Sequence, residues 1–434
     1  MKLYSTVLLS LLATLGSAQS VLTLDEAFAK ALSNNFDVQV VRKQLEIAEN
    51  SATIGNAGLL PSVSANASAG INVNNTELEF AGNLPPVNQD NAQSTNTNAN
   101  LTANYTLFRG LSGQRTYQKL KLNRDLMNLQ KQAAIEATLL QVANAYFVLA
   151  RAEDQIDIAE ENVELSSKRF ERAKLANTLG TSLRTELLSA RVDLTTDSSS
   201  LLNAQLQHKT ALRQLEQLIA TDLPTDTKTA LSDTELKAWS IDELVNTAKV
   251  NNAVYKNSEM QVALAEKDYQ ISMSSIFPSL SVSGGYSFNN QQTEAGIVLS
   301  NTATGWNGSV ALSYPLFNGF KNSIQRQNQI VTKEIRELEM ARQELQLITD
   351  LENAFDSYLQ SFKVAKFEAS NLESAELNVE RADALYKSGQ ITSIQFREAQ
   401  VGLTGAKVRL SNAQISTRLN ELEVLRLTGQ ILSE

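Results

Sequence analysis

The sequence predicts a mostly α-helical chain that also carries four strands of transmembrane β-barrel type, built as a tandem duplication of a helix–strand–strand–helix–helix unit. Three observations predict it: the spacing of proline and glycine, a set of motifs that recur at fixed offsets, and four segments of strict two-residue alternation.

The six prolines stand at Pro61, Pro85, Pro86, Pro224, Pro278 and Pro315, so residues 87–223 and 316–434 contain none. Between Gly113 and Pro224 the only glycine is Gly180, and after Lys321 the first is Gly389. These two residue types are the strongest breakers of regular structure, and the intervening Ala, Leu, Gln, Glu, Lys and Arg favour helix. Leu139, Val142, Ala143, Tyr146 and Leu149 follow a three-and-four step, as do Leu351, Ala354, Phe355, Tyr358, Leu359 and Phe362. Helices are expected at about 24–59, 110–177, 182–221, 241–276, 319–387 and 393–430. Residues 110–177 alone would be about 100 Å long at 1.5 Å per residue. Such a helix must bury its apolar stripe against neighbours, as in a coiled-coil assembly. Gly180 and Gly389 mark hairpin tips, because glycine accepts the left-handed conformation that ends a helix. N-cap candidates follow both, Thr181-Ser182 and Thr392-Ser393.

Thr23-Leu24-Asp25-Glu26 recurs as Ser240-Ile241-Asp242-Glu243 at an offset of 217, and both read as capping boxes. Leu60-Pro61-Ser62 recurs as Phe277-Pro278-Ser279 at the same offset. Leu107-Phe108-Arg109-Gly110 recurs as Leu316-Phe317-Asn318-Gly319 at 209, and Asn144-Ala145-Tyr146, Glu171-Arg172-Ala173 and Gly180 all recur at 209. One change of offset, between Pro61 and Leu107, reconciles the two halves. The organisation is therefore a signal peptide at 1–18, a first repeat at 19–221 with strands near 61–74 and 99–108, a linker at 222–239, and a second repeat at 240–434 with strands near 279–288 and 305–316.

In the first strand Val63, Ala65, Ala67, Ala69, Ile71 and Val73 share one face, and Ser64, Asn66, Ser68 and Asn72 the other. Leu101, Ala103, Tyr105 and Leu107 lead the second; Leu280, Val282, Tyr286 and Phe288 the third; Trp306, Val310, Leu312 and Tyr314 the fourth. The opposite faces are Ser, Thr and Asn, which suit a wet lumen, while the apolar faces suit lipid. Each run matches the roughly 9–11 residues that cross a bilayer as a strand. Four strands cannot close, and open edges in lipid cost several kcal/mol per unpaired group. Two copies would give a barrel filled by its own side chains, so an open duct needs at least three. The loops 75–98 and 289–303 fall on the side away from the helices.

Lys2, the apolar run Val7–Leu15 and Gly16-Ser17-Ala18 form an export signal, whose removal takes one positive charge and shifts the net charge from −9 to −10. No later apolar run reaches about 18 residues, so a membrane role must use strands. The acidic balance shows no basic patch for nucleic acid. The absence of cysteine excludes disulfides, thiolate metal sites and a lipidated N-terminal cysteine. The single histidine, His208, sits in a helical stretch without a catalytic neighbourhood. No constellation for enzymatic chemistry, metal or cofactor stands out. A structural coiled-coil envelope protein without channel activity is the alternative. It accounts for the helices but not for the four lipid-type strands.

The order of these elements resembles the TolC family of outer-membrane efflux proteins over essentially the whole mature chain. The junctions at Leu60-Pro61-Ser62, Phe277-Pro278-Ser279, Leu107-Phe108-Arg109-Gly110 and Pro315-Leu316-Phe317-Asn318-Gly319 carry the resemblance, together with the glycine tips. It implies a homotrimer with a twelve-stranded barrel in the outer membrane, continued by an α-helical periplasmic tunnel. It also implies a passive, non-enzymatic exit duct of a tripartite efflux or type I secretion system. The implied partners are a periplasmic adaptor and an inner-membrane pump or ABC exporter. By resemblance the tunnel narrows at the tips, where Thr185, Glu186, Gln395 and Glu398 take the gate positions. Gln395 stands where the family has an acid and Ile391 where it has an arginine; Glu186 with Arg184, or Glu398 with Arg397, could substitute only through contacts between subunits, because adjacent helix positions face apart. Leu179, Gly180, Thr181, Ser388, Gly389 and Gln390 are the implied adaptor contacts.

Overall fold

In the computed structural model, residues 21–82, 85–181, 183–230 and 236–432 are described. The signal segment and Ser182 lie outside them. The order is β1 (Val21–Leu22), α1 (Leu24–Asn34), α2 (Phe36–Ser51), β2 (Ser62–Leu78), β3 (Val87–Arg109), α3 (Ser112–Thr178), α4 (Arg184–Ile219), β4 (Lys228–Thr229), α5 (Ile241–Asn251), α6 (Ala253–Met273), β5 (Ser279–Thr293), β6 (Ser300–Ser313), α7 (Lys321–Lys387) and α8 (Ser393–Leu427).

The chain divides into two compact units, each drawing on both repeats. One comprises residues 1–42, 130–256 and 344–434, and the other residues 43–129 and 257–343.

The second unit holds a four-stranded antiparallel sheet in the order β2-β3-β5-β6. Directly paired residues share a face, so register shows whether the alternations are in phase. They are: Ala65 pairs with Leu101, Leu101 with Tyr286 and Tyr286 with Trp306. The rings of Tyr286 and Trp306 meet edge-on at 5.1 Å. On the other face Asn66 pairs with Asn100 and Asn100 with Ser287. Trp306, Val310 and Leu312 are 85%, 71% and 71% exposed, an apolar face that one chain leaves uncovered. A bulge between Thr106 and Phe108 puts Phe108, not Leu107, opposite Leu280. The strands also run past the ends read from alternation, since β3 has 23 residues and β2 has 17. Much of the expected loops 75–98 and 289–303 therefore pairs as strand, with β2 ending at Leu78, β3 starting at Val87, β5 ending at Thr293 and β6 starting at Ser300.

Two predicted helices are interrupted. The one expected over 24–59 breaks at Asn35 and ends at Ser51, and the one over 241–276 breaks at Asn252. Thr23 and Glu26 form the reciprocal capping box, but Ser240 makes no side-chain cap bond. At the strand-to-helix junctions Gly110-Leu111 and Gly319-Phe320 are all left-handed, so the helices start at Ser112 and Lys321.

The core of the first unit gathers Val142, Ala143, Tyr146 and Leu149 of α3 with Leu212, Leu215 and Ile219 of α4. Part of α3 is long and apolar enough to cross a membrane by composition, though no uninterrupted apolar run is. Most of that stretch is buried, as core packing requires. The same helix ties down the linker. β1 pairs in parallel with β4, and the Tyr146 hydroxyl accepts from the Ala230 N–H at 2.9 Å and lies 2.8 Å from the Leu22 carbonyl. Two turns further along the same face, Glu153 accepts from the Thr229 N–H and hydroxyl, each at 3.0 Å. Burial pushes the Tyr146 phenol up to about 12 and raises the Glu153 carboxyl.

Candidate functional site

The helical hairpins α3–α4 and α7–α8 end in tips of the same construction. Gly180 (φ 71°) and Gly389 (φ 75°) are left-handed, and the following N–H groups of Thr181 and Gln390 donate back to Ala176 and Leu385, both at 2.9 Å. This closure satisfies carbonyls that a helix end leaves open. Leu179, Gly180, Thr181, Ser388, Gly389 and Gln390 are all exposed.

The helices that leave the tips start differently. Thr392 and Gln395 form a reciprocal capping box, with Gln395 Oε1 accepting from the Thr392 N–H at 2.9 Å. The amide at this gate position is therefore occupied as a cap. The N-cap of α4 is Leu183, with no side-chain cap bond, while Thr181 turns its hydroxyl back to Ala176.

A cavity of about 1190 Å³ opens between the hairpins near the tips. Thr185, Glu186 and Glu398 line it together, so the structure brings three of the four gate positions to one space. Gln395 does not line it. Ile391 packs against the cluster of Ala382, Phe396 and Ala399 and supplies no charge.

Three arginines near the gate, Arg397, Arg169 and Arg172, are committed elsewhere. Arg397 does not pair with its neighbour Glu398. It forks onto Asp197 of α4, at 2.6 and 2.8 Å, because adjacent helix positions face apart. The hydrogen bond to Asp197 raises the already high Arg397 pKa, so the guanidinium stays charged. Arg169 of α3 is buried, bonds Asp193 of α4 at 2.5 Å and reaches Ser393 of α8 at 3.3 Å. Arg172 lies over the Tyr386 ring at 4.6 Å and donates to the last carbonyls of α7, those of Tyr386 and Lys387. Sequence reasoning passed over Asp193 and Asp197. Aspartates one turn apart inside a helix, where aspartate is a poor former, were the available signal that two partners exist.

The pattern of the outer membrane efflux protein family matches residues 27–221 and 244–430, once in each repeat. The chain belongs to the outer membrane efflux protein family. Outer membrane protein TolC of Vibrio cholerae is similar to it, 23% identical over 428 residues, covering 97% of this chain and 93% of the relative. The pyoverdine export outer membrane protein OpmQ of Pseudomonas aeruginosa is 24% identical over 411 residues, covering 92% of this chain and 82% of the relative. Among solved structures, the Campylobacter jejuni CmeC outer membrane channel shares the fold with a TM-score of 0.75 at 17% identity, over 94% of this chain and 86% of that one. As an outer membrane efflux protein the chain is a passive channel component, not an enzyme, with its strands in the outer membrane and its helical tunnel in the periplasm. Proteins of this family are trimeric and work with adaptor and inner-membrane pump partners in tripartite systems.

Proposed function

We propose that three copies of this chain close one twelve-stranded barrel by pairing β6 of each copy with β2 of the next. The resulting duct narrows at the helical tips, where Glu186 and Glu398 form an acidic constriction framed by Thr185, with Gln395 capping the adjoining helix start. The observation that carries this reading is the pair of unpaired outer strands, β2 and β6, on a sheet whose apolar face is open. In lipid such edges are stable only when closed on another strand. The exposed tips Leu179–Thr181 and Ser388–Gln390 are the docking surface for a periplasmic adaptor, which delivers cargo from an inner-membrane pump or ABC exporter. Polar lumen residues such as Asn66, Asn100 and Ser287 offer no strong chemical filter, so cargo choice rests with those partners.

Single-channel recording in planar bilayers tests the duct. Wild-type protein should conduct, and Glu186→Ala with Glu398→Ala should weaken its preference for cations or raise its conductance. Silence from the wild-type protein removes the duct. A double variant indistinguishable from wild type removes the two acids from the constriction.

A further inference from the structure

The two hairpins of the sheet share one register. Ser62 pairs with Asn104 and Val63 with Ala103 in the first, and Ser279 pairs with Ser313 and Leu280 with Leu312 in the second. The first strands are offset by 217 and the second strands by 209, the two offsets of the sequence repeat. The joint between the hairpins, β3 on β5, therefore carries over to the joint that one copy lacks, β6 on β2 of the next copy. In the internal joint Tyr105 pairs with Val282, Leu101 with Tyr286 and Ala99 with Phe288. The same steps put Tyr314 opposite Ala65, Val310 opposite Ala69 and Gly308 opposite Ile71 of the next copy. Each pair sets a large apolar residue against a small one, and all keep the apolar faces in phase. A slip of one residue would turn Asn66 and its neighbours onto the lipid side.

Outward of this band β6 is polar. Thr304, Thr302 and Ser300 continue the face of Trp306, Val310 and Leu312. Beyond them the β5–β6 turn exposes Ile297, Val298 and Leu299 by 66%, 64% and 58%. Val298 lies about 26 Å of strand from Trp306 at 3.3 Å per residue, with the three polar positions between, so the turn is not part of the lipid-facing band. A turn in water is ordinarily polar, and three consecutive exposed apolar residues mark a contact surface.

The inner side of the turn is taken by its own copy. The Gln93 N–H donates to Glu294 Oε2 at 2.9 Å, Ala295 is buried, and a Cβ on Gly296 would stand 3.7 Å from Leu78. The apolar residues run straight into β6, the free edge of the sheet. Carried past Trp306 opposite Val73, the same register brings Phe80 of the next copy level with Leu299, or with Ser300 once the bulge residue Asn75 is passed over. Phe80 is only half-buried within its own copy.

We propose that Ile297-Val298-Leu299 is a clasp between copies, seating Phe80 of the next copy outside the membrane in the register that the internal β3–β5 joint dictates. The clasp rests on the reading of β6 and β2 as the barrel seam, and it names what that seam holds beyond the lipid.

The chain has no cysteine, so introduced pairs report without background. Two singly substituted full-length chains with different tags are co-expressed, so a mixed-tag disulfide joins two copies. Val310→Cys with Ala69→Cys reads the seam, and Leu299→Cys or Ser300→Cys with Phe80→Cys reads the clasp; both should give mixed dimers on oxidation. Val310→Cys with Ala65→Cys, about 13 Å out of register, should give none. Ile297→Ser, Val298→Ser and Leu299→Ser together should lower the temperature at which detergent-solubilised trimers separate. Val298→Ser alone should do so to a smaller extent and serves if the triple variant fails to assemble. A fluorophore on Val298→Cys should escape quenching by brominated acyl chains. A seam link without a clasp link, trimer separation unchanged in these serine variants, or quenching by the acyl chains overturns the clasp and leaves the barrel standing. Absence of the Val310–Ala69 link in a protein that conducts overturns the register. Its absence in a protein that does not conduct removes the barrel, and the clasp with it.

Discussion

The side-chain amide of Asn35 donates to the Leu218 carbonyl at 2.7 Å while its oxygen accepts from the Val38 N–H at 3.1 Å. Asn252 repeats this in the second half, donating to Leu427 at 2.9 Å and accepting from Tyr255 at 2.8 Å. One side chain thus ends a helix, caps the next, and pins both to the last turn of a returning helix. Asn35→Ala and Asn252→Ala should each lower stability by about 1–2 kcal/mol, the worth of a cap and a buried hydrogen bond. Thermal unfolding of the purified protein checks this, and a loss confined to one variant would show that the two halves are not equivalent.

The strand-to-helix junctions offer a sharper contrast. A Cβ on Gly110 (φ +54°) would stand 2.6 Å from the Ser274 carbonyl oxygen, whereas one on Gly319 (φ +65°) would meet nothing within 4 Å. Gly319→Ala should therefore cost only the left-handed penalty of about 1–2 kcal/mol. Gly110→Ala adds a backbone clash and should cost clearly more. Equal losses of folded yield from the two variants would contradict the geometry.

The capping box at the start of α8 separates structure from charge. Gln395→Ala should weaken helix α8 by about 1 kcal/mol at its first turn. Amide exchange should quicken over Ser393–Gln400 with little change in ion preference. A large change in selectivity would return Gln395 to the constriction as an active member.

Glu136 is buried in α3, takes a hydrogen bond from Gln132 at 2.9 Å, and has its carboxyl pKa raised by burial. A raised carboxylate pKa means that the folded state holds the proton more tightly than the unfolded state. Its contribution is therefore most favourable below the unfolded value and is lost as pH rises through the folded one. Glu136→Gln should raise the melting temperature at pH 7 and flatten its decline above pH ~4.3. A variant that melts lower than wild type at neutral pH would refute this.

The large divisions were readable because they depend on residue classes. No helix continues through Pro61 or Pro278, although α2 already stops at Ser51, and alternation such as Val63 to Val73 survives unaltered into the sheet. What escaped depends on a particular partner. Asn35 and Asn252 look like ordinary helix residues until the carbonyls of Leu218 and Leu427 come near. The Asn and Gln segments beyond Asn74 carry polar residues on both faces and so lack alternation, although their backbones still pair. Ser240 lacks a cap bond despite its sequence pattern, as local propensity yields to the surrounding chain. At the tips, Glu186 and Glu398 line one cavity, but the charge partner of Arg397 lies 200 residues away in sequence and no local pattern marks it.

The length of β3 has one more consequence. A strand of 23 residues is about twice what a bilayer demands, and its partner β2 stays paired with it from Ser62 to Leu78. On the proposed closed barrel the surplus would form a ribbon clear of the lipid, like a short fence around the mouth of the pore. Backbone pairing orders it, helped by the buried Ala92 and by the Asn75 and Glu294 side chains that accept from the Asn91 and Gln93 N–H groups, so the polar side chains outside those contacts can be exchanged without loosening it. In that arrangement substitutions in the fence cost less than substitutions along the seam where β6 of one copy would meet β2 of the next.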